Sequence, residues 1–87
     1  MAYRVIIERG ALRDLKRLPH ATRHRIDEHV HALADNPRPP GVEKLTGSDC
    51  SYRIRVGRYR ILYEIHDEIL HVLVVKIGHR RDVYRGA

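Results

Sequence analysis

The chain has 87 residues, with 17 Lys and Arg against 11 Asp and Glu, a formal charge of +6 and a pI near 10.0. That length supports one modest core and not two. The basic balance calls for an anionic partner, without saying whether it is nucleic acid, an acidic protein or a membrane surface. A single cysteine, Cys50, excludes an internal disulfide and suits a reducing compartment. No stretch approaches the roughly 20 apolar residues of a membrane span, and the opening MAYRVIIERG lacks the apolar region of a signal peptide. The expectation is one cytoplasmic domain over residues 1–87.

Tyr3 to Glu8 alternates as a first strand, with Tyr3, Val5 and Ile7 on one face. A helix is predicted from about Arg9 to Leu18, with Ala11, Leu15 and Leu18 at helical spacing. Pro19 ends it and suits the start of the next helix, roughly His20 to Asp35, whose stripe is Ile26, Val30, Leu33 and Ala34. So short a break predicts an antiparallel helical hairpin. Asn36-Pro37 stops the second helix, and Arg38 to Asp49, rich in proline and glycine, reads as loop.

The stretch YRIRVGRYRILYEIHDEILHVLVVKIGHRRDVY then reads as three consecutive strands and a basic tail. Tyr52, Ile54 and Val56 alternate with Arg53 and Arg55, and Gly57-Arg58 makes a two-residue turn. Tyr59, Ile61, Tyr63 and Ile65 share one face of the next strand. Asp67-Glu68 turns the chain again, and Ile69 to Ile77 is an almost unbroken apolar run, as in a central strand. The two-residue turn sets Val56 opposite Tyr59, Arg55 opposite Arg60, Ile54 opposite Ile61 and Arg53 opposite Leu62. Directly opposed like charges destabilise a sheet, and an anion held between Arg55 and Arg60 would reverse that.

These elements predict an α/β (α+β) fold of βααβββ topology, an antiparallel sheet in order 1-4-3-2 with the helical hairpin covering the face of Tyr59, Ile61 and Tyr63. Arg53, Arg55 and Arg60 take the opposite, open face. The acids Glu64, Asp67 and Glu68 gather at one end of the sheet. The other pole carries Arg53, Arg55, Arg58, Arg60, Lys76, Arg80, Arg81 and Arg85, with Asp82 its one acid. Such clustering favours a polyanion site over a merely solvated surface.

Arginine stays protonated, so it clamps phosphate bidentately but shuttles protons poorly. Beside this pole stand Tyr84, which could stack on a base, and His79, whose ordinary pKa lies near neutrality. On its own each has a plainer reading, Tyr84 as a packed tail residue and His79 as a solvated loop histidine. His20, His24, His29 and His31 have no supporting Cys or carboxylate constellation, and His66 and His71 read as surface strand positions. No metal and no cofactor is expected, and no phosphate-binding glycine loop or nucleophile elbow is present in the sequence.

The patterns YRIRVGRYRILYEI and LVVKIGHRRDVYR, with AYRVIIERGALRDLKRLP at the start and KLTGSDCSYRIRVG before the hairpin, resemble the RelE toxin family. That family lies within the RelE/ParE group of bacterial and archaeal toxin–antitoxin systems, and the resemblance spans the whole chain. It implies a compact sheet backed by two helices. It also implies an mRNA endoribonuclease that cuts inside the ribosomal A site, with a cognate antitoxin and a toxin–antitoxin hetero-oligomer. ParE-like members share the fold and poison DNA gyrase, and an inactive relative would only bind antitoxin.

By position, the resemblance assigns function to Arg53 and Arg55, where relatives often carry lysines, and to Arg60, Arg80 and Tyr84, with His79 where some relatives have lysine. Arg81 adjoins Arg80 and competes with it for that assignment. The implied reaction is attack of an RNA 2′-hydroxyl on the adjacent phosphorus. Arg60 and Arg80 would stabilise phosphoryl charge, Arg53 and Arg55 would hold the backbone, Tyr84 would orient a nucleotide, and His79 would carry a proton. Arg58, Lys76, Arg81 and Arg85 would bind RNA.

Overall fold

The computed structural model describes residues 2–79, which run β1 (Arg4–Ile7), α1 (Arg9–Lys16), α2 (His20–Ala32), β2 (Glu43–Lys44), β3 (Ser51–Val56), β4 (Tyr59–His66) and β5 (His71–His79). The strands form one sheet in the order β1-β5-β4-β3-β2. The strands read from sequence keep the neighbours expected of them, and two features of the expected antiparallel sheet are corrected. First, β1 lies parallel to β5, with Arg4 beside His71 and Ile7 beside Val74, so the sheet is mixed. Only a hairpin forces an antiparallel pair, and β1 reaches β5 through a long crossover. Second, Glu43–Lys44, inside the segment expected to be loop, adds a short edge strand antiparallel to β3.

The hairpin register matches the expected one at each position: Val56 faces Tyr59, Arg55 faces Arg60, Ile54 faces Ile61 and Arg53 faces Leu62. Gly57 makes it so. Its φ of +61° occupies the first central position of the turn, the pattern of a type II′ loop, which keeps the strands' right-handed twist. The turn after β4 is a single 3₁₀ turn over Asp67–Ile69, closed by Leu70 in the left-handed region at φ +54°. The carbonyl of Leu70 accepts from the Arg4 amide at 2.8 Å, which starts the β1–β5 ladder.

Alternation sorts the sheet. Tyr52, Ile54 and Val56 of β3, Ile61, Tyr63 and Ile65 of β4, and Val72, Val74 and Ile77 of β5 are buried against Ala11, Leu15, Ile26, Val30 and Leu33 of the helical layer. Each fully buried Ile or Val contributes roughly 1.5–3 kcal/mol. β1 stops at Ile7, and α1 takes over the edge of β5 from there: Glu8 donates to the Val74 carbonyl at 2.9 Å, and the Ile77 amide donates to Asp14 Oδ2 at 3.3 Å. No helix among the described residues is long and apolar enough to cross a membrane.

A polar clamp closes the far end. Tyr63, with no exposed surface, donates its hydroxyl to the Pro37 carbonyl at 2.7 Å and stacks on Tyr52 with ring centroids 6.1 Å apart. Burial, then the neighbouring Tyr52, pushes the Tyr63 hydroxyl up to about 12. Arg38 lies over the Tyr52 ring, 5.3 Å from its centroid, and holds Asp67 at 2.9 Å. The hydroxyl of Tyr3 donates to the same carboxylate at 2.5 Å. The Arg38 and Tyr3 hydrogen bonds hold the Asp67 carboxyl below its ordinary range. Replacing Tyr63→Phe strips the buried Pro37 carbonyl of its donor and should cost about 1–3 kcal/mol of unfolding free energy in urea. Equal midpoints for variant and parent would show that this bond contributes nothing net.

Candidate functional site: the arginine face of the sheet

The face turned away from the helices carries Arg53 and Arg55 from β3, Arg60, Leu62 and Glu64 from β4, and Lys76 and Gly78 from β5. Arg60 sits in the middle of it, opposite Arg55 on one side and Gly78 on the other, and is only 7% exposed. Gly78 contributes no side chain, which leaves that position to the guanidinium. Arg55 is 64% exposed along its side chain and Arg53 only 15%. The trio therefore grades from a buried arginine to one reaching into solvent.

The opposition of Arg55 and Arg60 has a local counterweight that sequence reasoning missed. Glu43 of β2 stands beside Arg53 in register and places Oε2 3.0 Å from Arg53 Nη2 and Oε1 4.0 Å from Arg55 Nε. Lying in a Pro/Gly-rich segment with no alternation, Glu43 gave no sign of facing β3. A second missed residue is Arg25 of α2. A β-carbon built on Gly57 would lie 3.7 Å from Arg25 Nη1, so the arginine reaches the hairpin turn beside exposed Arg58. The basic surface thus wraps around the turn onto the helical layer.

His79 and Lys76 depend on a bulge. The β4–β5 register shifts between Leu62 and Tyr63, so Val75 is an extra residue: Tyr63 faces Val74 while Leu62 faces Lys76. Beyond that point the alternation of β5 inverts. His79 consequently lies opposite Tyr59 on the helix side, its ring edge-on to the tyrosine with centroids 5.7 Å apart. The structure does not bring His79 together with Arg53, Arg55 and Arg60. Lys76 stands on the arginine face by register, and its ammonium is 3.5 Å from Asp14 Oδ2. Arg80, Arg81, Tyr84 and Arg85 lie outside the described residues.

The acidic end is electrically closed by comparison. Asp67 is held by Arg38 and Tyr3, and Glu64 Oε1 lies 2.9 Å from His66 Nε2. Positive charge at the other end therefore dominates the outward field. Arginines in this arrangement can fork onto phosphate oxygens and stabilise charge developing on them. They cannot exchange protons near neutral pH.

Residues 5–84 match the family described as the ParE toxin of type II toxin–antitoxin system, parDE. The chain is 32% identical to a putative toxin RelE1 of Methanocaldococcus jannaschii, covering 99% of both chains. It is 29% identical to the mRNA interferase toxin RelE of Escherichia coli K12, over 100% of this chain and 95% of that one. The archaeal RelE–RelB complex from Pyrococcus horikoshii contains a chain that superposes with a TM-score of 0.83 at 31% identity, over 94% of this chain and 99% of that one.

Glu43 competes with any incoming anion for Arg53 and Arg55. Glu43→Gln keeps the size and removes the charge. It should tighten binding of a single-stranded oligonucleotide. It should also steepen the salt dependence by about 0.7 in log–log slope, one further phosphate contact. Fluorescence anisotropy across a salt series measures both, and an unchanged slope would show that Glu43 does not compete.

Proposed function

This chain belongs to the ParE toxin family of type II toxin–antitoxin systems, within the RelE/ParE superfamily, and from that membership we propose that it is an mRNA endoribonuclease acting on the ribosome. The observation that carries the reading is the convergence of Arg53, Arg55 and Arg60 on one sheet face, with Arg55 directly opposite Arg60. Directly opposed like charges are unfavourable on a sheet face, and a phosphodiester between the two guanidiniums would reverse that. A relative named mRNA interferase toxin supports the same reading.

In the proposed reaction the RNA 2′-hydroxyl gives its proton to solvent as its oxygen attacks the adjacent phosphorus, the bond to the 5′-oxygen breaks with that oxygen taking a proton from solvent, and the products carry a 2′,3′-cyclic phosphate and a 5′-hydroxyl. Arg60, buried and so held in place before substrate arrives, stabilises charge developing on the phosphoryl oxygens. Arg55 and Arg53 clamp the backbone and favour loss of the 2′-proton, while Arg58 and Arg25 extend the contact around the turn. By the family resemblance, Arg80 and Tyr84 complete the site, with Arg81 and Arg85 supplying further phosphate contacts. His79, on the other face, takes no part in proton transfer. Alignment of the attacking hydroxyl is left to the ribosome, which fits an apparatus built from permanently charged arginines.

Cleavage ends mapped on an mRNA under translation, with and without the purified chain, test the activity. Arg60→Ala should slow cleavage about 10²- to 10³-fold, equivalent to roughly 2.7–4 kcal/mol of transition-state stabilisation. Circular dichroism should stay native, and His79→Ala should keep the parent pH–rate profile. Cleavage by folded Arg60→Ala at the parent rate would sink the assignment. Growth arrest without any new RNA ends would point instead to a protein target, as in ParE-like members.

The partner follows from the same surface. We propose a cognate antitoxin with an acidic or amphipathic segment that folds on binding, in keeping with a structural relative captured as a RelE–RelB complex. The edge of β1 and the groove between Val5 and Ile7 of that strand, Tyr3 just before it, Val30 of α2 and Ala34 just after α2 offer apolar purchase for such a segment. Co-expression with the adjacent reading frame should relieve growth arrest and yield a complex whose association weakens with salt. Recovery of the chain alone, still toxic beside that neighbour, would overturn this part.

A further inference from the structure

We propose that Cys50, Glu64 and His66 form a binding site for a divalent transition metal of the zinc class, tying the segment before β3 to the end of β4. Cys50 Sγ, one Glu64 carboxylate oxygen and one His66 ring nitrogen all lie within 4.8 Å of one another. All three residues are half-buried, with Glu64 and His66 side chains 32% and 35% exposed. Among the described residues this is the one place where three such donors converge.

The backbone holds the donors in place. Glu64 and His66 are two apart on β4 and therefore share a face. Ser51 pairs with Glu64, and the Ile65 amide donates to the Cys50 carbonyl at 2.8 Å, so the cysteine is held against the same strand. On its other side the Cys50 amide donates to Ser48 Oγ at 3.3 Å, and that oxygen lies 3.8 Å from Sγ.

The donor set is selective. Thiolate, imidazole and carboxylate together suit zinc, whose bonds of about 2.0–2.3 Å put tetrahedral ligands about 3.4–3.6 Å apart. His66 Nε2 and Glu64 Oε1, now 2.9 Å apart, would open by about 0.5 Å to admit the ion. The sulfur would close by up to about 1.4 Å, within the range of a side-chain torsion. A thiolate and a carboxylate balance the ion's double charge, and three protein ligands leave a fourth position for solvent. From sequence alone these residues, one before β3 and two on β4 at uneven spacing, resemble no known ligand pattern. Their convergence exists only in the fold.

The site lies four to six residues along β4 from Arg60, about 13–20 Å at strand rise. Metal loading and RNA cleavage are therefore separate readouts, and the proposal does not rest on the ribonuclease reading. The purified, reduced full-length chain is titrated with Co²⁺ and then with Zn²⁺. A thiolate-to-cobalt absorption should grow to saturation at a single equivalent and vanish on adding zinc, and Zn²⁺ should raise the melting temperature.

Cys50→Ser should abolish that absorption. His66→Gln should lose at least the roughly 10- to 100-fold in affinity that even an outer-sphere partner is worth. His24→Ala and His31→Ala, on exposed α2, should change neither. Should Cys50→Ser fail to fold, alkylation of the thiol in the parent chain gives the same reading, since a blocked sulfur cannot ligate. Binding without the sulfur band, binding lost with the α2 histidines, or uptake that never saturates at one equivalent would each overturn the site.

Discussion

The positive φ of Gly57 fixes more of this molecule than any single contact does. A two-residue turn locks β3 to β4 in one register, and a strand's side chains alternate with a period of two. A slip of β3 by one residue would drive Arg53 and Arg55 into the core and expel Tyr52, Ile54 and Val56 to solvent. No rearrangement of side chains could compensate for two buried guanidiniums facing apolar helices. The hydrophobic face thus holds the arginines out, and their mutual repulsion is balanced against core packing that cannot move. Structure and site are one constraint here, read on two sides of the same strands.

Charge separation along the sheet has an equally local origin. At one end Arg38 brings a cation in from the loop, beneath which Asp67, Tyr3 and Tyr52 meet; Glu64 is taken up by His66. At the other end Glu43 reaches Arg53 and Arg55 from an edge strand of two residues. A strand that short has little to hold it beyond its pairing with β3, so the carboxylate at the basic end is among the more easily displaced groups of the sheet. An anionic ligand meets its competitor on the least anchored element of the fold.

Much of this was legible beforehand, for physical reasons that also mark where legibility ends. Alternation plus a glycine turn is a local code, so the hairpin register and the arginine opposition could be read residue by residue. Strand sense is not encoded that way. Tyr3, Val5 and Ile7 alternate identically whether β1 lies parallel or antiparallel to β5. β2 has too few residues to show a period. The bulge at Val75 closes the apolar run of residues 72–75, so nothing in Leu73, Val74 and Val75 announces that the parity inverts there. That inversion alone moves His79 from the arginine side to the side of Tyr59. Leu70, in a left-handed conformation that leucine seldom adopts, carries no turn signature and shifts the start of β5 from the expected Ile69 to His71.

The place of β5 in the sheet bears on when the protein comes into being. Of the described strands it comes last in the chain, and yet it stands between β1 and β4, joining the first strand to the hairpin. A chain emerging from its own ribosome can form helices and the β3–β4 hairpin early, because those contacts are local. It cannot dock β1, complete the helical layer's seat on Val72, Val74 and Ile77, or set Gly78 beside Arg60 until β5 is available to pair. Pairing Arg4 with His71 closes the longest loop available to the molecule, the kind of step that makes folding slow. Docking of β1 is thereby a late step, following the local contacts of the helices and of the hairpin that carries Arg53, Arg55 and Arg60.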